Sequence, residues 1–272
     1  MKKTKEQIIE DLKLIDIVVI VLDARAPKAS VNPDIEEYIK NKSKIIVLNK
    51  ADLANSEVTK KWIETYKKEG ITALEIESNM GKGINKLIEE IKLQYEEIKE
   101  KYIKKGRIGK LARVMILGIP NVGKSTLINA LAKRNTAKVG NKPGVTKQKQ
   151  WVKISENIEL MDTPGMLWPK LDDKEGAINL AFIGTIGDNA IDNEEIAYYL
   201  LDYLIKNYPK KLEERYKINI DNKETIQVME DIARSRGAII SGGDINMQKV
   251  SDIIINEFRS GKLGRITVEI PR

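Results

Sequence analysis

At 272 residues the chain is long enough to bury a substantial core, and ordinary domain sizes predict one large and one small domain. Neither cysteine nor histidine occurs, which excludes disulfides, thiolate or imidazole metal sites, Ser-His-Asp and Cys-His chemistry and a histidine general base. The net charge of +7 favours an anionic partner, and the absence of an apolar run of spanning or signal-peptide type predicts a soluble, cytoplasmic chain with no membrane span.

In chain order, Ile8, Ile9, Leu12 and Ile15 recur at helical spacing. "IVVIVL", Ile17–Leu22, reads as a buried strand ending at "DARAP", where Pro27 opposes continuation. A second apolar strand, Ile45–Leu48, opens into "NKADL", followed by a helix over 57–68 and a third strand in "ALEIES". "GINKLIEEIKLQYEEIKEKYIKK" is helical by its apolar spacing and interleaved Glu and Lys, and Gly106 and Gly109 then break the chain before the strand "RVMILGIP". "LINALAK" is helical again, and "IELMDTPG" is strand then loop. Strands alternating with helices, with polar loops at the strand C-terminal ends, predict an α/β domain with a mostly parallel sheet over 1–172 and a ligand site along that edge. Beyond it, "NEEIAYYLLDYLIKNYP" and "NMQKVSDIIINEFRSGKLG" are amphipathic, so 173–272 reads as a smaller, mainly α-helical domain.

"GIPNVGKS" fits G-x-x-x-x-G-K-[ST] between a strand and a helix, the context of a phosphate-binding loop rather than an ordinary glycine turn. Gly118 and Gly123 permit the tight loop, and the backbone from Asn121 through Val122, Gly123 and Lys124 to Ser125 and Thr126 is expected to cradle phosphates. Lys124 supplies charge to the terminal phosphates, and the Ser125 hydroxyl is placed to ligate Mg²⁺. Downstream, Asp162 of "DTPG" is placed to reach the metal through water and the Gly165 N–H to reach the γ-phosphate. Thr146 in "NKPGVTKQKQ" is a further magnesium ligand or a residue of a plain surface loop. Lys124, Thr146 and Gly165 are the expected catalytic set.

"NKAD" selects the base. Asn49 can bond purine N7, the Lys50 stem can lie along the ring, and the Asp52 carboxylate can accept from N1–H and the 2-amino group, donors that guanine has and adenine lacks. "ESNMGKG" then supplies Ser78 and Asn79 near the guanine. No acidic residue occurs between Ile119 and Ser155, while Lys133, Arg134, Lys138, Lys142, Lys147, Lys149 and Lys153 do. With the clusters 99–113 and 259–265, this stretch offers phosphate contacts to RNA, read through backbone and shape because no aromatic platform is present.

The five motifs together resemble the Ras-like GTPases in a different chain order, with "NKAD" and "ESNMGKG" before the phosphate loop, and so resemble the circularly permuted P-loop GTPases. "VLDARAPKASVNP", "LNKADL", "GIPNVGKSTLIN", "KPGVT", "DTPGMLWPK" and the tail "RGAIISGGDINMQKVSDIIINEFRSGKLGRIT" are similar to the ribosome biogenesis GTPase A family, also called YlqF or RbgA. The resemblance implies a Mg²⁺-dependent GTPase that binds GTP and GDP and promotes maturation of the large ribosomal subunit, with the C-terminal domain on its rRNA and no DNA partner. Asn121 resembles the potassium-coordinating Asn of cation-stimulated GTPases, its alternative being a loop-forming Asn. Met166 stands where many GTPases carry a water-orienting Gln, and the family's usual Pro-Gly-His-Met segment is not found. Either the chain as given is truncated or starts late, or hydrolysis proceeds without that His. The expected activity is slow alone and stimulated by the subunit; the alternative is a nucleotide-gated rRNA-binding module with little or no hydrolysis.

Overall fold

A computed structural model of the chain describes residues 2–104, 106, 109, 111–136, 151–161, 174–186 and 192–271. The sheet region contains α1 (Lys2–Leu12), β1 (Ile17–Asp23), α2 (Pro33–Ile39), β2 (Ser43–Asn49), α3 (Ser56–Lys68), β3 (Thr72–Ile76), α4 (Ile84–Ile103), β4 (Ala112–Leu117), α5 (Lys124–Thr136), β5 (Trp151–Ser155) and β6 (Ile158–Met161). The helices α6 (Lys174–Phe182), α7 (Asn193–Asn207), α8 (Pro209–Tyr216), α9 (Thr225–Arg236) and α10 (Met247–Arg259) follow.

The six strands lie in the order β3-β2-β1-β4-β6-β5. All pairings are parallel except β5 with β6, so the expected mostly parallel α/β architecture is the one observed. The continuous apolar runs of β1 and β2 arise because helices cover both faces of the sheet. On one face Val18, Met115 and Leu117 meet Ile8 and Leu12 of α1, and Leu22 and Leu48 meet Val58, Trp62 and Tyr66 of α3. On the other, Val19, Val21, Val114 and Ile116 share a cluster with Leu87 and Ile91 of α4 and Leu127 and Leu131 of α5. Each fully buried Leu or Ile of this kind contributes roughly 1.5–3 kcal/mol.

Asp192 caps α7 by accepting from the Glu194 N–H, and Asn246 caps α10 by accepting from the Lys249 N–H. At α9, Glu224 and Gln227 form a reciprocal capping box. The buried cluster beneath the sheet continues into these helices through Phe182, Leu204, Ile254 and Phe258. Short elements lacking a strong period, α2 and the antiparallel β5, are not apparent from the sequence pattern. Among the described residues no helix is long and apolar enough to cross a membrane.

Candidate nucleotide-binding site

The register sets Asp23 beside Asn49 and Asn49 beside Ile76. Strands β1, β2 and β3 therefore finish level, and their loops open on one edge, next to the loop that leaves β4. There a cavity of about 350 Å³ is lined by Asn49, Lys50, Asp52, Ser78, Asn79, Asn121, Gly123, Lys124, Ser125 and Thr126. The structure thus gathers three separately read motifs, at positions 49–52, 78–79 and 121–126, around one space. Val122 turns its side chain into the core and contributes backbone only. Thr146, Asp162 and Gly165, with Met166, lie outside the described residues, as do Lys138, Lys142, Lys147 and Lys149.

Asn49, almost wholly buried, is the strut between the loops. Its Nδ2 donates to the Val122 carbonyl at 2.8 Å, and its Oδ1 accepts from the Ser78 hydroxyl at 2.7 Å and the Ser78 N–H at 3.3 Å. This close approach explains Gly123. A Cβ there would stand 2.3 Å from Asn49 Nδ2, and its φ of +94° is disfavoured for any other residue. Lys124 opens α5 with its ammonium donating to the Ile119 carbonyl at 2.8 Å, folded back over the loop it serves. The first turn of α5 directs N–H groups and the positive helix end at the cavity, which suits a phosphate group.

Asn121, at φ +63°, reaches out of the loop, and its Nδ2 donates to the Gly184 carbonyl just after α6 at 2.7 Å. Arg259, expected among phosphate contacts, instead donates to the Ala181 and Phe182 carbonyls at the end of α6. Arg113, another residue of the basic clusters, pairs with Glu159 and lies 4.8 Å from the centre of the Trp151 ring. Arg265 and Lys262 remain exposed on the C-terminal side.

Sequence reasoning missed Asp23 and Arg25. Asp23 accepts from Arg25 Nε, Nη2 and backbone N–H at 2.9–3.0 Å, and from Lys50 Nζ at 2.9 Å. Burial pushes its carboxyl pKa up, but the charges and hydrogen bonds of Arg25 and Lys50 outweigh that and hold it at about 2. The available signal was "DAR" directly after a buried strand, where three consecutive residues include a carboxylate and a guanidinium at the ligand edge of the sheet.

A parallel sheet that brings a G-x-x-x-x-G-K-S loop together with an Asn-Lys-x-Asp loop at its C-terminal edge is that of a P-loop GTPase. Residues 2–172 match the family profile described as RsgA GTPase, and residues 113–232 match that of a 50S ribosome-binding GTPase. Ribosome biogenesis GTPase A of Bacillus licheniformis is 45% identical over all of this chain and 96% of its own length, and that of Bacillus cereus 42% over all of this chain and 92% of its own. A solved structure of GNP-bound YlqF from Thermotoga maritima aligns with a TM-score of 0.68 at 30% identity, covering 99% of each chain; a GDP-bound YlqF structure gives 0.69 at 29%, covering 97% of this chain and 99% of that one. The chain belongs to the ribosome biogenesis GTPase A family, and it is a GTPase of ribosome biogenesis.

Proposed function

We propose that this chain hydrolyses GTP to GDP and phosphate, with Mg²⁺, while bound to the assembling large ribosomal subunit. The observation that carries this reading is the single cavity onto which Asp52, Lys50, Lys124 and Ser125 all open. Asp52 accepts the guanine N1–H and 2-amino donors, while Asn49 holds the base loop to the phosphate loop. Lys124 exchanges its Ile119 carbonyl for the terminal phosphates, and the backbone from Asn121 to Thr126 cradles the rest.

The exposed Ser125 hydroxyl fits a hard, oxygen-seeking cation. Mg²⁺ is usually held by a few protein ligands together with water and the substrate's phosphates, and Ser125 would supply one of them. Thr146 and Asp162 would complete that shell, and the Gly165 N–H the γ-phosphate site. The metal, when bound, supplies charge neutralisation to the transferring phosphoryl group. With the Asn121 amide nitrogen on Gly184, its oxygen is the atom that would ligate K⁺.

Residues 1–172 act as the GTPase domain and 173–272 as the rRNA-binding domain, with the basic residues on the C-terminal side meeting backbone phosphates. The relatives' naming as ribosome biogenesis GTPases and the match to the 50S ribosome-binding GTPase family support this partner. The test is GTP turnover with and without immature large subunits. Slow turnover alone and at least about tenfold stimulation is expected for a catalyst whose last positioning step comes from its partner. Nucleotide-dependent particle binding with no turnover in either arm would favour the rRNA-binding module over the enzyme.

A further inference from the structure

The Asp23 cluster sets two buried charges, Asp23 and Arg25, behind Lys50 in the lining of the nucleotide cavity, and stability alone is a poor reason for it. Buried ion pairs rarely outperform apolar residues of similar volume, since desolvation offsets their attraction. The geometry supplies a better reason. Lys50 lines the cavity, its backbone is fixed in a left-handed turn at φ +57°, and its ammonium is fixed 2.9 Å from Asp23. With both ends held, the aliphatic stem between them is a preset surface.

Behind Asp23 stands Arg25, itself 2% exposed, which grips the carboxylate through two nitrogens. Two further side-chain contacts reach α10. Nη1 donates to the Arg259 carbonyl at 3.3 Å, and the guanidinium lies 5.3 Å from the centre of the Phe258 ring in α10. The same segment braces the rest of the base loop. Val268 N–H donates to the Arg25 carbonyl, Ile266 N–H to the Leu53 carbonyl, and the Asn55 N–H to Thr267 Oγ1, at 2.8–3.0 Å. Gly261 lies so near Leu53 that a Cβ would come within 2.6 Å of Cδ2.

We infer that Asp23 and Arg25 are positioning residues for guanine recognition: they hold Lys50 from behind and tie the base loop to α10, so that affinity for guanine nucleotide depends on how the C-terminal helices are seated. This rests on "NKAD" being the base-binding loop. It makes Phe258, which does not line the nucleotide cavity, an element of nucleotide affinity.

The test compares two ligands on the full chain: labelled GDP, which uses both sides of the cavity, and inorganic tripolyphosphate, which has no base. Asp23→Asn and Arg25→Lys are expected to weaken GDP binding about tenfold, and Phe258→Leu by a smaller factor of about three, the scale of one lost charge-assisted or cation–π contact. Tripolyphosphate binding stays within about twofold of wild type, because the phosphate loop is untouched. Should Asp23→Asn fail to fold, Arg25→Lys keeps a cation in place while losing the two-point grip, and carries the test. Unchanged GDP affinity in Arg25→Lys and Phe258→Leu, or equal losses for GDP and tripolyphosphate, would overturn the inference. Wild-type protein that binds GDP no better than ADP would instead remove the base-loop reading beneath it.

Discussion

The two sides of the nucleotide cavity are held in different ways. The phosphate side, from Gly118 to Thr126, is held largely within itself, by Lys124 folding onto the Ile119 carbonyl and by the start of α5, with Asn49 on the Val122 carbonyl and Asn121 on the Gly184 carbonyl as its ties to other segments. The base side, from Asn49 to Asn55, is propped by residues more than two hundred positions away, directly at Ile266 and Thr267 and, through Asp23 and Arg25 behind Lys50, at Arg259. The base loop has the C-terminal region folded against it, which places that region in contact with the loop proposed to read guanine.

The difference can be broken from the phosphate side first. Lys124→Ala removes the ammonium proposed to meet the terminal phosphates and is expected to lower GTP turnover at least about a hundredfold, the loss typical of one missing transition-state donor. The lost bond to the Ile119 carbonyl should cost no more than about 1 kcal/mol of stability, and single-turnover assays beside a melting curve check both. On the base side the balance reverses. Trp62 of α3 donates from Nε1 to the Glu269 carbonyl at 2.9 Å, so Trp62→Phe is expected to cost about 1 kcal/mol of stability by leaving that carbonyl unpaired. Denaturant unfolding measures this, while GTP turnover per folded molecule changes less than in Lys124→Ala.

A smaller effect separates two supports of the base side by pH. Glu269 sits where the C-terminal segment meets the loop after β1. Burial raises its pKa above the usual 4.5, against the opposing hydrogen bonds from the Ala29 and Lys28 N–H groups and the Asn179 amide. A raised folded pKa means that its contribution is fully present below the ordinary value and is lost as pH rises through the folded one. Asp23 has the opposite sign: held at about 2 against 3.8, it stabilises above its ordinary value and loses that contribution as pH falls toward 2. Glu269→Gln should therefore flatten the decline in stability on the alkaline side of 4.5 and leave the acid limb, where Asp23 titrates, in place. Unfolding midpoints across pH 2–8 for both proteins would show an unchanged alkaline slope if Glu269 plays no such part.

Much of this was legible in the sequence because it is local. The runs "IVVIVL" and "IIVL", the glycine loop and "NKAD" each state their chemistry within a few residues, and the inverted motif order pointed to the permuted GTPases. What was not legible is long-range. Nothing near "DARAP" announces that Arg25 lies against Phe258, and "FRSGKLGRIT" reads as a basic stretch although Arg259 ends up satisfying the last carbonyls of α6. Asn121 was read as a loop residue or cation ligand, and its bond to Gly184 depends on where α6 is seated. Periodicity also says little about α2, which is a short helix begun by Pro33, or about β5, a partly exposed edge strand.

The most direct measurement is equilibrium binding of GDP and ADP to the wild-type chain and to Asp52→Ala. If Asp52 reads the base at a site built around the phosphate loop, GDP binds the wild type at least about a thousandfold more tightly than ADP, since a carboxylate covered by the base and left unpaired against adenine is heavily penalised. The substitution then removes most of that preference by weakening GDP. Similar affinities for the two nucleotides, or a preference that survives Asp52→Ala, would contradict it.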